Sequence, residues 1–98
     1  MVAGIQSQGV AAVAKHFPGH GDTTSDSHHG PASVPHSLEW LRSVEFPPFV
    51  SSIQAGVKLI MSAHLGLPAV DGPDAPPATL SKNVLTNLLR RELGFDGV

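Results

Sequence analysis

The 98 residues fit one small domain or a piece of a larger one. Forty-one per cent apolar and 14% charged residues exclude a disordered chain, and a net charge of −2 with scattered Lys and Arg gives no basic field for nucleic acid or an anionic membrane. The absence of cysteine removes disulfides, iron–sulfur clusters and thiol catalysis, and leaves the compartment open.

The chain opens in a helix-like stretch without a lead-in and closes on GFDGV, where an apolar strand begins, so both ends read as truncations. Val10 to Phe17 (VAAVAKHF) is a short apolar run that Pro18-Gly19 prevents from continuing as a helix, and it reads as a buried strand leading into a loop. Gly19 to Pro35 has loop composition at a length beyond that of a plain connector, and loops of that length usually carry function.

Ser37 is a candidate N-cap for a helix through Leu38, Leu41, Val44, Phe49, Val50 and Ile53, which Pro47-Pro48 must break or kink. Trp40, Phe46 and Phe49 read as its core-facing residues. Gly56 stops that helix, and Val57 to His64 (VKLIMSAH) is a second short strand ending in a histidine. A Pro/Gly/Asp loop from Leu65 to Leu80 leads to Ser81, a second N-cap, and to an amphipathic helix through Val84, Leu85, Leu88 and Leu89 with Arg90 and Arg91 as its solvated end. Strand, helix, strand, helix and the start of a strand, joined by long connections, predict parallel βαβ units in an α/β fold.

In parallel α/β folds the C-terminal strand edge binds ligands, and here that edge carries KHFPGHGDTTSDSH, residues 15–28. Asp26 and His28, two apart in a loop, can form a dyad in which the carboxylate fixes the tautomer of the ring and the free ring nitrogen exchanges a proton with substrate. Lys15 and His16, held at a strand end, are placed to donate directional hydrogen bonds to hydroxyl groups. His64 either lines the same site or is a buried core histidine. His20 and Asp22 read as loop formers through backbone hydrogen bonds, with Gly19 and Gly21 expected at positive φ, while His29 and His36 read as solvated.

The cluster of His16, His20, Asp22, Asp26, His28 and His29 would attract zinc by composition, but its spacing argues against a metal. Pro18-Gly19 keeps His16 and His20 off a common helical face, and the Glu of the zinc-protease motif is missing.

KHFPGHGDT followed by DSH, then HSLEWLR, VEFPPF, IMSAH, PATLS and LLRRELGFDGV resemble the catalytic barrel of family 3 glycoside hydrolases, in the β-N-acetylglucosaminidase branch, over nearly the whole chain. The resemblance implies a (β/α)8 TIM-type barrel, of which residues 1–98 would be an internal piece of about two to three βα units. It also implies a retaining hydrolase acting on a small carbohydrate containing N-acetylglucosamine, in peptidoglycan or chitin fragments, with no cofactor and no metal.

Carried over, the family's acid/base pair corresponds to Asp26 and His28 and its hydroxyl-binding pair to Lys15 and His16, with His64 beside them. The Asp nucleophile would follow Val98, so the piece alone is expected to be inactive. Asp96 is expected at the wrong end of its strand to replace it. Alternatives are a β-glucosidase or a glycoside phosphorylase of the same family, the latter because a histidine acid/base repels phosphate less than a carboxylate does, and a non-catalytic carbohydrate-binding module.

Overall fold

The computed structural model describes residues 1–21, 23 and 32–98. Its elements, in chain order, are α1 (Val2–Gln6), β1 (Val13–Phe17), β2 (Ala32–Ser33), α2 (Leu38–Val44), α3 (Phe46–Gln54), β3 (Leu59–Ser62), β4 (Leu65–Gly66), α4 (Pro68–Asp71), a 3-10 turn (Ala78–Leu80) and a helix of π type (Asn83–Glu92). The fold is α/β, as expected, with more short elements than the sequence pattern resolves.

β1 and β3 pair in parallel, with Val13, Ala14 and Lys15 opposite Leu59, Ile60 and Met61. The register slips at His16, so that Phe17 faces Ser62 and two residues of β1 oppose one of β3. Val98 continues this sheet on the far edge of β3: its N–H donates to Lys58 O at 3.0 Å and its carbonyl accepts from Ile60 N at 2.9 Å, the alternation of a parallel neighbour. A second small parallel pair joins β2 to β4, Ala32 opposite Leu65 and Ser33 opposite Gly66.

Gln6 ties the starts of both long strands together. Its Oε1 accepts from Ala12 N at 3.2 Å and from Lys58 N at 3.1 Å, and its Nε2 donates to Gly56 O at 2.9 Å. One amide thus satisfies three backbone groups where α1, β1 and β3 meet, a role that no pattern in the sequence announces.

The crossover from β1 to β3 is helical, but as two helices rather than one kinked helix. Ser37 caps α2 by accepting from Trp40 N at 3.2 Å. α2 ends at Val44 because Pro47 and Pro48 bring no N–H to continue its ladder, and the same prolines fit the first turn of α3, where N–H groups have no helical partner. Phe46 and Phe49 on α3 enclose Phe17, which is fully buried, with ring centroids 5.7 Å and 5.1 Å away. Trp40 is only half-buried and stacks on His36 at 3.7 Å, so it is less of a core residue, and His36 less solvated, than its position suggested.

Ser81 fulfils its expected capping role, accepting from Val84 N at 3.1 Å while its hydroxyl donates to Asp71 Oδ2 at 2.6 Å. The helix that follows keeps its apolar face but is wound with i→i+5 bonds, as in Leu93 N to Leu88 O at 2.9 Å. Val84, Leu88 and Leu89, four and five positions apart, share the buried side of this wider turn. Arg90 is more than a solvated helix end: it donates to Phe95 O and Gly97 O at 3.3 and 2.6 Å and lies over the Phe95 ring, fixing the turn that delivers Val98 to β3. No helix among the described residues is long and apolar enough to cross a membrane.

Phe17 is the anchor between sheet and crossover helices. Phe17→Ala is expected to cost about 3–5 kcal/mol, the usual penalty for removing a fully buried aromatic ring, read as a lowered denaturant midpoint with an unchanged slope.

Candidate active site

Because β1 and β3 are parallel, Phe17 and Ser62 end at the same edge of the sheet, and the residues after them converge there. On β1, Lys15 is exposed and His16, at the register slip, is half-buried. The Lys15–His16 and Phe17–Pro18 peptide bonds are cis. A turn follows at once, closed by Gly19 N donating to His16 O at 2.8 Å.

Lys15, His16, Gly19, His20, Glu45 and Ser52 contribute to the lining of an open cleft of about 400 Å³ that runs along the edge of β1 between α1 and α3. The His16 and His20 rings meet edge to face at 6.1 Å. His20 Nδ1 is 3.3 Å from Thr23 Oγ1, a hydrogen bond between side chains where backbone bonds were expected. Gly19 has φ +131°, as its place in the turn requires, whereas Gly21 does not adopt a positive φ.

Behind the turn lies a residue that the sequence pattern did not single out. Glu45, at the junction of α2 and α3, packs its side chain against the Gly19 backbone so closely that a Cβ at Gly19 would stand 2.8 Å from the Glu45 Cβ and Cδ and closer still to Oε2. Its Oε1 reaches to 3.8 Å of the corresponding point on Gly21.

On β3, Ser62 Oγ and Thr79 Oγ1 lie 2.9 Å apart, and Thr79 Oγ1 donates to Ala63 O at 3.1 Å, which pins the 3-10 turn to the strand end. Ala63 N in turn donates to Phe17 O at 2.7 Å. His64, next along, is exposed at this same edge and is not a core histidine. Asp96 is elsewhere: Val98 bonds beside Leu59, so Asp96 lies toward the opposite end of the sheet from Ser62. Asp22, Asp26, His28 and His29 lie outside the described residues. Among the described residues no group of three or more His, Asp or Glu side chains could hold a metal ion.

The model of the glycosyl hydrolase family 3 N-terminal domain matches residues 1–98. The chain belongs to this family. A β-hexosaminidase of Xanthomonas oryzae pv. oryzae is 41% identical over 99% of the chain and 28% of its own length. A family 3 β-N-acetylglucosaminidase from Paenibacillus sp. has a solved structure that superposes with a TM-score of 0.94 at 56% identity, covering 99% of this chain and 18% of that one. NagZ from Neisseria gonorrhoeae, solved in complex with N-trifluoroacetyl-D-glucosamine, matches with a TM-score of 0.87 at 37% identity over 97% of this chain and 27% of its own; NagZ has also been solved in complex with zinc ion. The family member described here therefore spans between about a fifth and three tenths of the length of these relatives.

The clamp on β3 gives a direct check on how the site edge is held. Thr79→Val keeps the shape but leaves Ser62 Oγ and Ala63 O without this partner, and a loss of about 1–2 kcal/mol is expected, measured by thermal melting.

Proposed function

We propose that residues 1–98 are the acid/base portion of a family 3 (β/α)8-type barrel that hydrolyses terminal β-N-acetylglucosaminide bonds with retention of configuration. The observation that carries this reading is the convergence of the KHFPGHG turn and His64 at the C-terminal edge of a parallel β1–β3 pair, the edge at which barrel enzymes bind substrate. The match to β-hexosaminidases supports the acetamido sugar as substrate.

The sheet supports the barrel. Val13 and Met61, 47% and 48% exposed, share one face of the β1–β3 pair with Lys15, while Phe17 is buried against the helices. Parallel sheets are normally covered on both faces. The remaining strands of a barrel would bury the Val13–Met61 face and leave the strand ends open to substrate.

In this mechanism Lys15 and His16 hold sugar hydroxyls through N–H donors. His28 gives a proton to the departing glycosidic oxygen as a carboxylate beyond Val98 attacks the anomeric carbon. It then takes a proton from the water that releases the sugar. Asp26 orients the imidazole and stabilises its cation. Residues 1–98 alone then have one half of the machinery and turn over no substrate.

The full-length protein is expected to prefer nitrophenyl N-acetyl-β-glucosaminide over the glucoside, and His28→Ala to lower kcat/KM by about 10²–10⁴-fold. Glucoside preference, or an unaffected variant, would refute the assignment. Treatment with EDTA is expected to leave the activity unchanged; a loss restored by added zinc would make the histidine cluster a metal centre instead.

A further inference from the structure

Ala63 is where the two strand ends of the site edge are joined. It is buried, and both of its backbone groups are engaged. Its N–H donates to Phe17 O at 2.7 Å, at the end of β1, and its carbonyl accepts from Thr79 N at 3.3 Å and from Thr79 Oγ1 at 3.1 Å. The Thr79 hydroxyl has one hydrogen, which this carbonyl takes, so in the 2.9 Å contact between Ser62 Oγ and Thr79 Oγ1 it is Ser62 that donates. Two hydrogen bonds in series therefore run from the last residue of β3 through Thr79 to the Ala63 carbonyl.

That carbonyl belongs to the peptide that leads into His64. The peptide unit is planar, so holding its oxygen also fixes the His64 N–H and the direction in which the chain reaches the His64 Cα. One residue further on, Leu65 is buried in β4 and pairs with Ala32. His64 thus has its backbone pinned on both sides, while its side chain is exposed at the edge where β1 and β3 end.

We infer that Thr79 is a positioning residue for His64: by holding the Ala63–His64 peptide, its hydroxyl sets where the imidazole stands relative to Lys15 and His16 across the sheet edge. This rests on the reading of His64 as a residue lining the sugar site. Thr79 acts through the peptide, its hydroxyl being engaged with Ser62 and Ala63. Without the hydroxyl the carbonyl keeps only the longer bond from Thr79 N, and the peptide is free to rotate and swing the ring. Misplacing a substrate-holding group by about 1 Å can cost up to about 10²-fold in rate.

The test is a double-mutant cycle in the full-length protein, with kcat/KM for nitrophenyl N-acetyl-β-glucosaminide as the readout. His64→Ala is expected to lower it by about 10²-fold, and Thr79→Val, which keeps the shape and removes the hydroxyl, by about tenfold. Thr79→Ser, which keeps the hydroxyl, is expected to stay within about threefold of wild type. Added to His64→Ala, Thr79→Val is expected to cost less than about twofold more, because the group it positions is gone.

The same factor lost in both backgrounds would mark a merely structural role and overturn the inference, as would a Thr79→Val variant within about twofold of wild type. A Thr79→Ser variant as impaired as Thr79→Val would also overturn it, since the hydroxyl is what holds the carbonyl. If Thr79→Val does not fold by circular dichroism, Thr79→Ala is read by the same criteria; if neither folds, the hydroxyl is a folding element and the inference falls. Failure of the underlying readings looks different. A wild-type protein inactive on this substrate defeats the proposed function, and a His64→Ala variant within about twofold of an active wild type defeats the reading of His64. In both cases the inference goes with it.

Discussion

The parallel pairing of β1 with β3 is the constraint on which the rest of this structure depends. Parallel strands cannot be joined by a tight hairpin, so the chain between Phe17 and Leu59 must travel back along the sheet, and α2 and α3 do so. The same pairing puts both strand ends at one edge. Without it, His16 and His64 would have no reason to share an edge across the residues that separate them.

The crossover then does two kinds of work. Its apolar side closes on Phe17 through Phe46 and Phe49, which fixes the height of the helices above the sheet. Its break at Glu45, forced by Pro47 and Pro48, turns a polar side chain toward the strand edge at the point where β1 ends. Packing and site geometry are therefore set by one pair of helices. At the other end of the sheet the Gln6 amide supplies the counterpart, meeting the backbone of both strands before they enter the ladder.

Much of the fold was legible because it rests on local chemistry. Ser37 and Ser81 are capping residues by type and act as such. The apolar runs ending in Phe17 and His64 are strands somewhat shorter than the runs themselves. The chain from Leu65 to Leu80 read as loop because its segments, β4, α4 and the 3-10 turn, are each four residues or fewer and have no period long enough to detect. Trp40 and His36 departed from expectation because a side-to-side stack depends on how α2 is placed, which spacing along one helix does not contain.

The sequence by itself determined the two main strands, the capped starts of the helices that follow them, the proline break between α2 and α3 and the motif that assigns the chain to its family, since caps, proline breaks and the KHFPGHGDT block are properties of neighbouring residues. Only the tertiary structure decided that Glu45 supports Gly19, that Gln6 joins two strands, that Thr79 clamps Ser62 and that Arg90 holds the turn carrying Val98 to β3. Gln6 reaches Lys58 across 52 positions and Thr79 reaches Ser62 across 17, and Glu45 meets Gly19 from the far side of the crossover. Arg90, though its partners are near in sequence, depends on how the chain turns back after the last helix. In each case the partner is chosen by where packing brings the backbone, and no local pattern of residue types records that.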